Sequence, residues 1–259
     1  VTRDAEIRVP KVELAGVSKA FGALQVLDQL DLVIPAGQTL VVLGGSGTGK
    51  SVLLKHIVGL LRPDRGRVAI DGRDWSEVSS AELPTFRRKF GMSFQEGALF
   101  DSMTVFENVA FPLRRAGWGE ARVRERVAEC LELVHLPGVE RRMPSELSGG
   151  MRRRVGFARA IALEPEILLF DEPTTGLDPV MRAALDEVIL ELKERLRPTA
   201  VVITHDLDSA FRIADRLAFL YRGKILVEGP REVFRDVPDP RLQQFLRGEA
   251  QGPLTQQTN

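Results

Sequence analysis

Apolar and polar positions alternate over Val12 to Val17 and again over Leu30 to Ile34, the two-residue period of half-buried strands. Thr39 to Leu43 (TLVVL) is short and apolar throughout, as a strand covered on both faces would be. A glycine-rich stretch comes next, then a helix from about Lys50 to Val58. Strand, glycine loop and helix in that order open a parallel α/β unit. Arg67 to Ile70, followed by Asp71 and Gly72, predicts a strand and a turn.

The period then changes. Thr104 and Glu107 form the Thr-x-x-Glu pattern of a capped helix start. Val123, Val127, Leu131 and Val134 recur at helical spacing, and no strand is apparent between about Phe100 and Ala160. The α/β pattern resumes with the buried strands Ile167 to Phe170 (ILLF) and Thr199 to Thr204 (TAVVIT). Between them Asp178 and Pro179 supply an N-cap and a first-turn proline, and Met181, Leu185, Val188 and Leu192 supply the apolar stripe. Leu217 to Tyr221 and Lys224 to Val227 read as a hairpin around Arg222 and Gly223. Pro238 and Pro240 precede a short helix. The pattern implies one folded unit over 1–247, with an α/β core at about 10–99 and 161–235. A helical insertion occupies about 100–160, and a polar tail 248–259.

Composition narrows the setting. Lys and Arg number 36, as do Asp and Glu, so the 259-residue chain carries no formal net charge. That balance argues against a nucleic-acid partner held by a broad basic face. Cys130 is the single cysteine, which excludes an intrachain disulfide and suits a reducing compartment. The opening VTRDAEIRVPKVE is charged and has no apolar h-region, so no signal peptide is expected. Apolar runs are too short to cross a bilayer, so work at a membrane would require docking on a spanning partner.

Chemistry concentrates at three places. Gly44, Gly45, Ser46, Gly47, Thr48, Gly49, Lys50 and Ser51 fit the P-loop pattern, after a buried strand and opening a helix. Glycines let backbone N–H groups turn inward around phosphate oxygens, and the helix N-terminus adds partial positive charge. Lys50 is expected on the β- and γ-phosphates and Ser51 on Mg²⁺. Asp171 and Glu172 come directly after the apolar run Ile167 to Phe170. Two adjacent acids after a strand are often only a solvated helix cap. Behind a P-loop, Asp171 suits a Mg²⁺ site and Glu172 a general base. Finally, Ser148 can cap a helix whose first residues, Gly149 and Gly150, leave N–H groups open to an anion.

The run Leu147 to Met151 (LSGGM), continuing RRRVGFARAIALEPEILLFDEPTTGLDP, closely resembles the LSGGQ signature of ABC ATPases. The resemblance extends from about Val12 to Gly229. It implies an α/β fold: a P-loop NTPase of ABC type, with a RecA-like parallel sheet core, antiparallel N-terminal strands and a helical insertion. It implies ATP and Mg²⁺ as ligands, and a homodimer in which Ser148, Gly149 and Gly150 of one copy address the γ-phosphate held by the other. Phe21 resembles the aromatic that stacks on adenine, a reading preferred here to that of a core aromatic; Val26 would pack beside the base. Val52 joins the nucleotide contacts. Gln95 resembles the Q-loop glutamine near Mg²⁺, Asp178 the D-loop acid and His205 the switch histidine. Met151 stands where the family usually has Gln, so a polar contact there is in doubt. Arg152 to Arg154 read as a solvated helix face, with charge near the nucleotide interface as the alternative. His56 and His135 receive no role.

The segment EGALFDSMTVFENVAFPLR, with MPSELSGGM and DPRLQQFLRGEAQGP, resembles the ATPases of Mla-type phospholipid-trafficking systems. This implies integral membrane permease subunits, an MCE-domain lipid-binding protein, a small accessory protein and a place at the cytoplasmic face of the inner membrane. Amino-acid or metal importers share most of this framework, and a non-transport ABC regulator is the alternative of another class. Leu242, Phe245 and Leu246 can form one apolar face, either packed on their own domain or gripping a neighbour.

Overall fold

This computed structural model describes residues 9–95 and 97–255; the first eight residues of the charged opening and the last four of the polar tail lie outside them. In chain order, β1 (Val12–Phe21) and β2 (Leu24–Ile34) pair antiparallel, and β3 (Thr39–Leu43) leads through the glycine loop into α1 (Lys50–Ile57). β4 (Arg65–Ile70), β5 (Arg73–Asp74), α2 (Leu83–Arg87) and β6 (Phe90–Ser93) come next. Three helices, α3 (Val105–Arg115), α4 (Glu120–Leu133) and α5 (Gly149–Ile161), separate β6 from β7 (Ile167–Asp171). Then come α6 (Pro179–Leu196), β8 (Thr199–Thr204), α7 (Leu207–Ile213), β9 (Arg216–Tyr221), β10 (Lys224–Pro230), α8 (Arg231–Phe234) and α9 (Pro240–Arg247).

Among the described residues the strands form two sheets. An antiparallel sheet has the order β2-β1-β4-β5; a second sheet has the order β10-β9-β3-β8-β7-β6, parallel except for β10. Alternate residues of β3 explain its unbroken apolar run. Val41 and Leu43 face a core shared with α3 to α6, whereas Leu40 and Val42 face a second core shared with β1, β2, β4 and α1. The capping box at Thr104 forms as expected: the Thr104 hydroxyl accepts from Glu107 N–H at 3.2 Å, and Thr104 N–H donates to the Glu107 carboxylate at 2.7 Å.

Besides the short elements β5, α2, α7 and α8, two strands were not fully evident from periodicity. β2 begins at Leu24, well before the alternating run; Gln29, with φ 46°, breaks the alternation between the two parts of the strand. β6 is only four residues long and contains Gly91. A Cβ on Gly91 would fall 2.2 Å from the Ala160 carbonyl oxygen, so this glycine lets α5 lie directly on the sheet. At the other end, Leu242 is fully buried and Phe245 packs 5.1 Å from Phe219, centroid to centroid. The apolar face of α9 is thus seated on its own domain. The side-chain carbonyl oxygen of Gln244 accepts from Leu254 N–H at 2.7 Å, holding the start of the tail there too.

Asp186 of α6 is buried and accepts a hydrogen bond from the Ser209 hydroxyl of α7. Burial pushes its pKa up to about 6 from 3.8. The folded state therefore binds this proton more tightly than the unfolded chain, so its contribution to stability falls as pH rises from about 4 to about 6. Asp186→Asn keeps the acceptor and removes the charge. Thermal melts of the variant should show a gain over wild type at pH 8, on the order of 3 kcal/mol at most. The gain should shrink as the pH is lowered towards 4; a gain independent of pH would contradict this account.

Candidate nucleotide site

Parallel pairing aligns the C-terminal ends of four strands. Leu43 lies beside Thr204, Asp171 beside Ile203 and Ser93 beside Phe170. The residues just past these strand ends therefore gather on one edge of the sheet: the loop Gly44 to Gly49 after β3, Glu172 after β7, His205 after β8 and Gln95 after β6.

The loop turns on glycines at the places where it has to. Gly47 and Gly49 have φ 76° and 103°, and a Cβ on Gly44 would fall 2.6 Å from the Leu220 carbonyl oxygen. Ser46 and Gly47 are exposed, and Thr48 is part-buried with its hydroxyl donating to the Gly45 carbonyl at 2.9 Å. Lys50, at 7% exposure, folds back under the loop. Its Nζ donates to the carbonyls of Gly44 at 2.8 Å and Gly45 at 3.0 Å and lies 3.5 Å from Glu172 Oε1. Val52 is half-buried in the first turn of α1.

The acids divide between two environments. Asp171 accepts from the Ser51 hydroxyl at 3.3 Å. Burial, with the Glu172 charge adding to it, pushes the Asp171 pKa up against the opposing Ser51 bond. Glu172 has φ 48°, a left-handed conformation costly for a residue with a Cβ. Its N–H donates to Ile203 O at 2.9 Å, and its Oε2 accepts from the Thr175 hydroxyl at 2.8 Å and lies 2.9 Å from His205 Nδ1. Backbone and carboxylate are both held, which sustains the strain.

No group of three or more His, Cys, Asp or Glu side chains among the described residues would hold a metal ion unaided. Ser51 and Asp171 do supply two adjacent oxygens, the donor type Mg²⁺ prefers, and phosphate oxygens and water would complete its shell. Gln95 has an exposed side chain on the same edge.

Phe21 ends β1 half-exposed at 48%, outside both cores, with Lys19 Nζ 5.7 Å from its ring centroid. Val26 packs against the loop at Gly49, where a Cβ would lie 3.2 Å from its side chain. Val26 thus lies beside the loop, and Phe21 offers an exposed ring face at the end of β1. Ser148 caps α5 by accepting from Met151 N–H at 3.2 Å, and Asp178 caps α6 by accepting from Val180 and Met181 N–H at 3.0 Å. Gly150 is pressed against Met181, whose methyl would lie 2.3 Å from an added Cβ, so the first turns of α5 and α6 are in contact within one chain.

The family description "ABC transporter" matches residues 27–175. The chain belongs to the ABC transporter ATP-binding family. It is 45% identical over 244 residues to the "Probable ribonucleotide transport ATP-binding protein mkl" of Mycobacterium leprae, covering 94% of this chain and 70% of that one. It is 42% identical over 244 residues to the "Intermembrane phospholipid transport system ATP-binding protein MlaF" of Escherichia coli K12, covering 94% and 91%. Among solved structures it resembles the dimeric post-hydrolysis state of the cassette MJ0796 bound to ADP and Pi, with 34% identity, TM-score 0.77 and coverage of 85% and 98%.

Against this ABC cassette frame, one sequence expectation needs correction. Arg152 to Arg154 are not a solvated face: Arg153 is 8% exposed and the flanking arginines are half-buried. α5 lies between the sheet and the other helices, so even its charged positions are covered. Thr175 escaped notice altogether. A hydroxyl three residues after Glu172, in a loop that turns straight back, was the available signal.

Proposed function

We propose that this chain hydrolyses ATP to drive a phospholipid transporter from the cytoplasmic face of the inner membrane. The observation that carries the hydrolytic part is the clamped carboxylate of Glu172 beside Lys50. ATP would lie with its base near Phe21 and Val26 and its phosphates in the loop Gly44 to Ser51. Lys50 would leave the Gly44 and Gly45 carbonyls for phosphate oxygens. Glu172, oriented by Thr175 and His205, takes the proton of the attacking water. Mg²⁺, when bound by Ser51 and Asp171 with Gln95 nearby, supplies charge neutralisation at the phosphates.

The N-terminus of α5 opens with Gly149 and Gly150 behind the Ser148 cap, while the chain has another phosphate loop of its own. A head-to-tail homodimer, with Asp178 and the α6 cap at its seam, gives these N–H groups a second nucleotide to address. The MJ0796 cassette is itself dimeric, which supports a dimer here.

No helix among the described residues is long and apolar enough to cross a membrane, so permease subunits would do the spanning. An apolar groove of about 330 Å³, next to Gln95, exposes Phe94 (38%) and Phe100 (42%) alongside Phe111 and Pro112, and suits a helix from such a subunit. The near full-length match to MlaF favours phospholipid as cargo. An MCE-domain protein and a small accessory protein are the further partners that the resemblance of the sequence to Mla-type ATPases implies. The mkl relative gives the second reading, a ribonucleotide system. The test is recovery of the Glu172→Gln chain from its native membranes in ATP, with mass spectrometry of proteins and lipids. A permease and an MCE-domain protein carrying phospholipid are expected. A permease with a soluble solute-binding protein and no lipid would overturn the phospholipid assignment.

A further inference from the structure

We propose that Arg153 is a positioning residue that links the groove beside Gln95 to the carboxylate of Glu172, an inference that rests on the hydrolytic role just described. Arg153 lies in the second turn of α5, buried beneath two loops. Its Nε donates to the Gln95 carbonyl at 2.7 Å and its Nη2 to the Thr175 carbonyl. Thr175 in turn donates its hydroxyl to Glu172 Oε2 at 2.8 Å. From Phe94 in the groove wall to Glu172, every step is thus a covalent or a hydrogen bond.

The chemistry of the link is specific to arginine. A planar guanidinium holds two carbonyls at a fixed separation, whereas an ammonium is a single point on a flexible stem. The guanidinium is also buried, where losing one acceptor is costly. The other end of the Gln95 segment is fastened to the same helix. Arg159 donates to the carbonyls of Gly97 at 2.8 Å and Ala98 at 2.9 Å, and a Cβ on Gly97 would sit 2.6 Å from the Arg152 carbonyl oxygen. Of these two arginines, only Arg153 also reaches the loop after Glu172. A partner that shifts the Gln95 segment therefore shifts the Thr175 loop through a rigid bridge. By reciprocity, a nucleotide that reorients Glu172 alters the groove.

The test compares Arg153→Met, Arg153→Lys, Thr175→Val and the Arg153→Met/Thr175→Val double variant in the full chain, with melts to confirm folding. Arg153→Met should lower kcat by about 10- to 100-fold, the scale of a misplaced reactive group. ATP affinity and KM should stay within about two-fold. Arg153→Lys should restore part of kcat. The double variant should be no slower than the slower single variant, because both act on one carboxylate. Hydrogen exchange of segment 172–177, which needs no turnover, should quicken in Arg153→Met. Unchanged kcat with unchanged exchange would overturn the link, as would losses that multiply in the double variant. Glu172→Gln measured alongside separates the two ideas: if it keeps wild-type turnover, the hydrolytic role itself fails; if it is inactive while Arg153→Met is normal, only the link fails.

Discussion

Glu172→Gln should bind ATP as well as wild type does and hydrolyse it about 10²–10⁴-fold more slowly, the usual loss when a general base is removed. The amide keeps an oxygen to accept from Thr175, so the loop geometry has little reason to change. It cannot take a proton from water. The substitution also removes a negative charge 3.5 Å from Lys50 Nζ, on the edge where an anionic nucleotide would bind, so affinity should hold or rise. Phosphate release with MgATP, beside equilibrium binding of a fluorescent ATP analogue, separates the two quantities. Turnover at the wild-type rate would place the base elsewhere.

Lys50→Ala should fail in both measurements. Charge-assisted hydrogen bonds are worth about 1.5–3 kcal/mol each, so loss of the ammonium predicts ATP binding about 10- to 100-fold weaker. A second effect compounds the first. The ammonium now satisfies the Gly44 and Gly45 carbonyls from a nearly buried position, and alanine leaves both without that donor. The loop should lose definition as well as charge. Isothermal titration with MgATP, beside a melt to confirm folding, tests this. Intact binding and turnover in the variant would remove the phosphate loop from the proposal.

The elements that bear the site were legible because several local rules agree at each. β3 is apolar throughout, glycines stand where the backbone needs φ > 0, and α1 starts at Lys50 as the loop pattern requires. At Asp178 the cap and the first-turn proline reinforce one another. β6 was illegible because four residues with a central glycine carry no period; its evidence is the closeness of Ala160, which is tertiary. Arg153 was misread for the converse reason. Three arginines in a row look solvated until the fold lays two loops over the middle one. Phe21 shows where resemblance added something: hydrophobicity alone would send it inward, and the fold leaves it half-exposed at the end of β1.

The contact between His205 and Glu172 also fixes a tautomer. A carboxylate only accepts, so His205 Nδ1, 2.9 Å from Glu172 Oε2, has to carry the proton. In the neutral ring Nε2 then holds a lone pair and cannot donate to a phosphate oxygen. For His205 to serve as a phosphate sensor, the imidazole has to gain a second proton or turn away from Glu172. The first route makes the sensor cationic while it still grips the base; the second unlocks the base as the phosphate is read.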